Sequence, residues 1–278
     1  MKGSFIENAS LGKNKWWHYA LSIFSVVVVV AILNIIVRQA LPDIKQLFPD
    51  SDFGKGLFTY SLVLVIFGLA LFAFLLVASK LHQRPKMSFI STKGTFSWRQ
   101  YIIGFVAWGS LLFIGSTIFD YQKLEDFVTN FNFYQFASLF LLGFVAIGVQ
   151  SFFEELVVRG YLLQGMHLLI KKVVTLVILN SLVFGVLHFG YGIESFLSSW
   201  VFGVAFAVIV MLQNRIEFVS GAHNANNLIL SIIFLDLSEA SNEAFSWQID
   251  WGYFSIHVFS LLILVGLVYK FLRKSQRI

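Results

Sequence analysis

Hydrophobic residues of this chain are concentrated in long runs that short polar stretches separate. A run of about 20 apolar residues is long enough to cross the hydrocarbon core of a bilayer as a helix. The pattern therefore predicts an all-α, polytopic transmembrane bundle in a single integral membrane domain, residues 1–278. The part of this domain that bears the motifs described below is about 133–236. About eight such runs occur, at residues 17–37, 58–79, 100–119, 133–153, 173–190, 195–213, 217–236 and 253–271.

The charges between these runs predict the orientation of the bundle. Alternate loops are basic, and the loops between them are acidic or mixed. Because cytoplasmic loops carry the excess of Lys and Arg, the alternation predicts an even number of spans with both termini in the cytoplasm. The basic groups are Lys2, Lys13, Lys15, Arg84, Lys86, Lys93, Arg99, Lys171, Lys172, Arg215, Lys270, Arg273, Lys274 and Arg277.

Composition narrows the possible partners. The chain is 58% hydrophobic and 13% charged, with a formal net charge of +5. Since the excess positive charge lies in the loops, we expect lipid as a partner and no nucleic acid. The chain has no cysteine, which excludes disulfides and thiolate metal sites. The first apolar run is longer than the hydrophobic part of a cleaved signal, so we expect it to be retained.

The fourth run ends in a group of ionisable residues, Glu154, Glu155 and Arg159. Ionisable groups inside a membrane are costly and indicate function. On a helix, Glu155 and Arg159 share a face and can pair, whereas Glu154 points about 100° away. Glu154 is therefore predicted to be the unpaired carboxylate, suited to proton transfer. The alternative is an ion cluster that only anchors the helix at the interface.

A lone histidine, His188, lies in the fifth run, four residues after Phe184. Such a histidine is often only a hydrogen-bonded core residue. However, if the chain turns at Lys171 and Lys172, Glu154 and His188 both lie about 25 Å above that turn, at 1.5 Å per residue. The two side chains could therefore meet.

The seventh run begins with His223 and Asn227, which lie on one helical face. Two such donors suit a developing oxyanion, although a capped helix start is the alternative. His223 follows Arg215 by so few residues that reaching the depth of Glu154 requires a tilted or broken helix, or an interfacial segment at 160–170. The stretch 160–170 either extends the fourth helix or lies along the cytoplasmic interface.

The three motifs together resemble the CAAX-protease and bacteriocin-processing (CPBP, or Abi) family of intramembrane endopeptidases. That family includes the type II CAAX prenyl endopeptidases. Its pattern is EExxxR, then FxxxH, then HxxxN or HxxxD, in this order. The matching residues are Glu154, Glu155, Arg159, Phe184, His188, His223 and Asn227. The similarity covers roughly residues 145–235.

The resemblance implies hydrolysis of a peptide bond in a membrane-associated peptide or protein. Carried over by position, Glu154 and His188 would activate water, and His223 and Asn227 would stabilise the oxyanion. Glu155 and Arg159 would support the site. The family has been described both with and without metal. Glu154, His188 and His223 could supply three zinc ligands, but the chain has no HExxH motif, and a metal-free mechanism is favoured.

Two other functions remain open. One is a non-catalytic membrane immunity or regulatory protein that keeps the family fold. The other is a transporter, which the lack of paired Gly/Pro-interrupted spans disfavours. A multi-pass protein of a bacterial plasma membrane is expected. No function is assigned to the remaining histidines, which are His18, His82, His167 and His257.

Overall fold

The computed structural model describes residues 4–234 and 245–275, and almost all regular structure in these ranges is helical. The one departure is an isolated antiparallel bridge between Ser91 and Arg215. The helices are α1 (Trp16–Lys45), α2 (Asp52–His82), α3 (Trp98–Phe119), α4 (Tyr121–Thr129), α5 (Phe133–Glu155), α6 (Leu163–Leu169), α7 (Val173–Leu187), α8 (Ile193–Gln213), α9 (Glu217–Ile229) and α10 (Trp251–Ser275). Shorter helical segments are Phe5–Leu11, Lys86–Phe89, Leu156–Leu162, Phe189–Tyr191 and Leu230–Phe234.

The predicted all-α membrane bundle is confirmed. Six helices of the described residues are long and apolar enough to cross a bilayer by length and composition. The fifth predicted span corresponds to α7, which has 15 residues. The seventh corresponds to α9 and the π-helical segment that continues it. Its predicted last residues, 235–236, lie outside the described ranges, as do Glu239 and Glu243 of the loop that follows.

The stretch 160–170 extends the preceding helix and does not turn along the interface. A single helix runs from Phe133 to His167. Within it, Leu156–Leu162 is π-helical, with wider turns than the α-helix on either side. Single π-helical turns occur mostly inside α-helices and often at functional sites. Here the π-helical segment follows the paired glutamates directly.

Helix α9 lies inside the bundle, so its polar side chains face other helices and not lipid. Its residues from Glu217 to Ala225 are all buried, and it packs against α3 and α5. The approach to α3 is close enough to need glycine on both helices. A Cβ on Gly104 would lie 1.9 Å from the Phe218 carbonyl oxygen, and a Cβ on Gly221 would lie 1.9 Å from the Tyr101 carbonyl oxygen.

The amino-terminal segment covers one end of the bundle, a feature that the hydrophobic pattern did not predict. Residues Phe5–Leu11 form a 3-10 helix in which Phe5 and Ile6 are buried. Next to it, Arg84 donates to Gln164 and lies over the ring of Phe89 at 4.1 Å. Burial lowers the pKa of Arg84 to about 10, which still leaves it charged at neutral pH.

The loop between α3 and α5 contains a second unpredicted element. Residues Tyr121–Thr129 form the short amphipathic helix α4, and none of its residues is buried. Its first turn is capped by Asp120, whose side chain accepts a hydrogen bond from the Lys123 amide at 3.4 Å. Because α4 has apolar and charged faces, it suits the interface of a membrane.

Replacing Gly104 or Gly221 by Ala tests the close contact of α3 with α9. Each new methyl group would meet backbone that cannot move aside, so we expect losses of about 1–3 kcal/mol or more in the free energy of unfolding. Gly68, in α2, is the matched control, because a Cβ there meets nothing within 4 Å. Gly68→Ala should be neutral or slightly stabilising. Thermal unfolding in detergent measures all three, and equal effects would contradict the contact.

Candidate active site

A buried ion pair joins Glu155 and Arg159 on successive turns of one helix. An Oε1 atom of Glu155 accepts from Arg159 Nη1 at 2.9 Å, and both side chains are fully buried. The Arg159 guanidinium also lies over the Phe184 ring of α7, 4.2 Å from its centroid. The pair therefore connects the α5 segment to α7.

His223 of α9 lies between the two glutamates. Its Nδ1 is 2.9 Å from Oε1 of Glu155, the oxygen that also accepts from Arg159. Its Nε2 is 3.7 Å from Oε2 of Glu154. An ionised carboxylate only accepts hydrogen bonds, so Nδ1 carries a proton and Nε2 faces Glu154. The residues of the first and third motifs thus lie together.

Glu154 differs from its neighbour in exposure and in partners. Its side chain keeps 21% exposure, against 0% for Glu155. Its Oε1 accepts from Gln150 Nε2 at 3.1 Å, and no arginine or lysine of the described residues forms an ion pair with it. Glu154 is therefore the more exposed carboxylate of the two, and the one without a cationic partner within the described ranges.

His188 and His223 both lie next to the aromatic ring of Phe184. The rings of His188 and His223 lie 4.5 Å and 5.7 Å from the Phe184 ring, measured between centroids. Nδ1 of His188 is 2.8 Å from the Phe184 carbonyl oxygen. Because a carbonyl only accepts, the proton of a neutral His188 lies on Nδ1 and Nε2 is left as an acceptor. In the described part of the chain, no hydrogen bond or ion pair joins His188 to Glu154.

Asn227 is oriented by a chain of hydrogen bonds. Trp108 Nε1 donates to Asn226 Oδ1 at 3.1 Å, and Asn226 Nδ2 donates to Asn227 Oδ1 at 3.1 Å. The indole can only donate, which fixes the orientation of both amides. The Nδ2 group of Asn227 is left able to donate elsewhere.

Three of the motif residues line one pocket of about 240 Å³. His188, His223 and Asn227 all line it, together with residues at the start of α8 and α10. Glu154 lies beside it through its contact with His223. The alternative of a capped helix start at the surface does not describe His223, which is buried in a helix without a side-chain cap. The alternative of a hydrogen-bonded structural histidine stays open for His188, which is half-buried and lines the pocket.

The depths of Glu154 and His223 agree for a reason that the sequence did not reveal. The turn between α8 and α9 lies inside the protein, at the level of Gly160: the Ile216 amide donates to the Ile90 carbonyl at 3.0 Å, and a Cβ on Gly160 would meet the Phe89 carbonyl oxygen. The helix bearing Glu154 continues past that turn.

The two charged groups of this internal turn have partners, which favours its burial. Arg215 lies 3.7 Å from Glu217 and donates to Ser91 at 3.2 Å. Glu217 also accepts from the Ser97 amide at 3.1 Å. Because the opposite charges of Arg215 and Glu217 lie close together, the turn can be buried without an isolated charge, although Oε2 of Glu217 has no hydrogen-bond partner among the described residues.

The geometry of these residues does not suit a metal ion. The described chain contains no group of three or more His, Asp or Glu side chains placed to hold a metal ion. Glu154, His188 and His223, the candidate zinc ligands, therefore do not form a ligand set, and His223 Nδ1 is already bonded to Glu155. We derive no step through a metal.

Sequence reasoning missed three residues of the site: Trp108, Gln150 and Asn226. Two of them carried a signal. Trp108 is a tryptophan far from any span end, and Gln150 precedes Glu154 by one helical turn. His257, to which no function was assigned, also lines the pocket.

The other unassigned histidines lie elsewhere. His82 is buried and contacts the Lys13 carbonyl oxygen and the Tyr161 hydroxyl, both at 2.7 Å. His18 is buried next to it, with ring centroids 5.2 Å apart. His167 lies near the end of α6, where its carbonyl accepts from Lys171.

Comparison with known proteins supports the resemblance seen in the motifs. Residues 135–229 match the family described as "Type II CAAX prenyl endopeptidase Rce1-like". The chain is also similar to the uncharacterized protein YyaK of Bacillus subtilis (strain 168), with 26% identity over 240 residues, which are 81% of this chain and 80% of that protein. No solved structure gives a significant match. The matched segment contains every residue of the three motifs.

Replacing Arg159 by Met should destabilise the protein strongly. The change leaves Glu155 buried without its cation, and breaking such a pair costs about 3–5 kcal/mol. Asp52→Asn is the control, since its ion pair with Lys55 is exposed and a loss below about 1 kcal/mol is expected. Denaturant or thermal unfolding in detergent measures both. Similar small losses for the two variants would show that the buried pair does not stabilise the fold.

Proposed function

From the match of residues 135–229 to the Rce1-like family, we propose that this chain is an intramembrane endopeptidase that hydrolyses a membrane-associated peptide or protein. One observation carries the proposal most directly. Glu154, His188, His223 and Asn227 come from three separate parts of the chain and lie at or beside one pocket inside an apolar bundle. Such a group of ionisable side chains is costly in a membrane protein and is expected to serve chemistry.

Two of these residues are suited to activate water. Glu154 has exposed carboxylate oxygen, and His188 has its Nδ1 proton bonded to a carbonyl, so that Nε2 accepts. In the proposed reaction a water molecule bound between them loses a proton to Glu154. The resulting hydroxide attacks the carbonyl carbon of the scissile peptide bond, with His188 accepting the second hydrogen bond of the water.

The other two residues are suited to stabilise the negative charge that then develops. Asn227 Nδ2 is free to donate because its Oδ1 is occupied by Asn226. His223 Nε2 donates when its ring is protonated, with Nδ1 held by Glu155. Donors that are oriented before the reaction stabilise an oxyanion most effectively. As the C–N bond breaks, the proton held by Glu154 passes to the departing nitrogen, giving an amine and a carboxylic acid, which then releases its proton to water.

Glu155 and Arg159 are proposed to position the site and not to react. Glu155 fixes the His223 ring through Nδ1, and Arg159 neutralises Glu155 in turn. The arrangement resembles the carboxylate that orients a catalytic histidine in other hydrolases.

The proposed setting is a multi-pass protein of a bacterial plasma membrane. The apolar helices support the membrane location, and the similarity to a Bacillus protein supports a bacterial one. We further propose that the chain acts as one membrane domain, with lipid and a peptide substrate as its partners. A non-catalytic immunity or regulatory role is the alternative that the next experiment separates.

Glu154→Gln and His188→Ala should each abolish cleavage without unfolding the protein. Removing a general base typically lowers the rate by about 10²–10⁴-fold. The measurement is cleavage of an internally quenched fluorogenic peptide library by the purified protein in proteoliposomes, with new peptide amino termini in expressing cells as a second readout. Glu125→Gln, on the exposed helix α4, is the matched control.

The outcome distinguishes the two functions. Activity in the parent chain and in Glu125→Gln, but in neither site variant, supports the peptidase. If Glu154→Gln cleaves normally, the proposed water activation is wrong. If neither the parent protein nor any variant cleaves a peptide, and Glu154→Gln fully replaces the parent in a deletion strain, the non-catalytic role is favoured.

Asn227→Ala should lower kcat by about 10²–10³-fold with little change in KM, the usual effect of removing an oxyanion donor. Trp108→Phe keeps the ring but removes the N–H that orients Asn226 and Asn227, so a smaller loss in kcat is expected. Steady-state kinetics on the best library peptide measures both. A rise in KM alone for Asn227→Ala would place that residue in substrate binding instead.

A further inference from the structure

The pocket that holds the site lies towards one end of the bundle. Its wall includes Ser195 and Ser199 from the first two turns of α8, and Tyr253 and His257 from the first two turns of α10. His188, at the end of α7, completes this side. All three helices have these ends on the same side of the bundle. A short connection joins α7 to α8 there, and the Asp250 amide, just before α10, donates to Glu194 in the first turn of α8 at 2.8 Å.

The charge pattern places this end on the outer side of the membrane. The basic groups lie at the opposite end of the same helices: Lys171 and Lys172 before α7, Arg215 after α8 and Lys270 in the last turns of α10. Loops rich in Lys and Arg remain in the cytoplasm. The mouth of the pocket is therefore expected to be non-cytoplasmic.

The cytoplasmic end beneath the site is covered by protein. The 3-10 helix Phe5–Leu11 is bonded to the α8–α9 turn, because the Phe5 amide donates to Asn214 Oδ1 at 2.8 Å. The same helix is bonded to the α2–α3 loop, because Asn8 donates to the Ser88 carbonyl at 2.9 Å. The 3-10 helix and the two basic connections that it contacts therefore place protein across this end of the bundle.

The outer side carries groups that suit a peptide. Ser198 Oγ and His257 Nε2 are buried and have no hydrogen-bond partner among the described residues. Both residues line the pocket, where a peptide backbone would offer donors and acceptors. Exposed aromatic side chains follow at the same end: Tyr191 is 78% exposed and Trp247 is 72% exposed. Aromatic residues at this depth suit the membrane interface.

We propose that the substrate reaches the site from the non-cytoplasmic side, so that its class is the outward-facing or exported segment of a membrane-anchored peptide. Ser198 and His257 bind this segment within the pocket. The chemical class of the substrate rests on the proposed peptidase activity, but the side from which the pocket is reached does not.

The absence of cysteine from the chain makes the direction of access measurable. Ser199→Cys places a single thiol in the pocket, Lys93→Cys places one in a basic loop, and Gln248→Cys places one on the exposed outer segment. Intact cells expressing each variant are treated with a membrane-impermeant cationic methanethiosulfonate, and the modified fraction is followed by mass spectrometry. Ser195→Cys serves as a second pocket variant if Ser199→Cys does not fold.

Ser199→Cys and Gln248→Cys should react in intact cells at least about tenfold faster than Lys93→Cys, because thiol reactivity follows exposure to the reagent. Lys93→Cys should react only after the cells are permeabilised. The inference is overturned if the pocket thiol reacts only after permeabilisation, if it reacts under neither condition, or if Lys93→Cys reacts in intact cells while Gln248→Cys does not.

A second readout separates this inference from the proposed function. The labelling pattern of Ser199→Cys should be unchanged when Glu154→Gln is added, since access requires no chemistry. If the labelling is as expected but no peptide is cleaved, the peptidase proposal fails and the outer access route stands. If peptides are cleaved, modification of Ser199→Cys should block cleavage relative to the same unmodified variant, and unchanged cleavage would exclude the pocket as the route.

Discussion

The site depends on one buried carboxylate. Oε1 of Glu155 accepts from both Arg159 and His223, at 2.9 Å each. This joins the helix of the two glutamates to α9, and the position of Arg159 over Phe184 extends the connection to α7. An ionised group with no exposure is strongly unfavourable unless it is paired. The same requirement therefore holds three helices together and fixes the ring of His223 beside Glu154.

Much of the architecture followed from local rules. Hydrophobic run lengths predicted the helices, because a bilayer sets a narrow range of span lengths. Helical periodicity predicted that Glu155 would face Arg159 and that Glu154 would not, and the structure has this arrangement. These features depend on residues within one or two turns of each other, which is the range over which a sequence pattern is informative.

The remaining features depend on contacts between distant parts of the chain. The depth of His223 followed from the internal α8–α9 turn, whose burial requires Ser91 from a loop more than 100 residues earlier to bind Arg215. The orientation of Asn227 depends on Trp108, from another helix. The cover formed by Phe5–Leu11 is short and only partly apolar, so its hydrophobicity alone gave no sign of burial. No local pattern carries such information.

The amino-terminal cover also has a consequence for the membrane itself. A hydrolase in a bilayer must admit water to mid-depth, and a water-filled path open at both ends would conduct protons and dissipate the proton-motive force. Here the Phe5–Leu11 helix, bonded to Asn214 and Ser88, closes one end of the bundle while the pocket occupies the other. In the proposed hydrolase, this arrangement would admit water to the pocket from one side without a continuous aqueous path across the membrane.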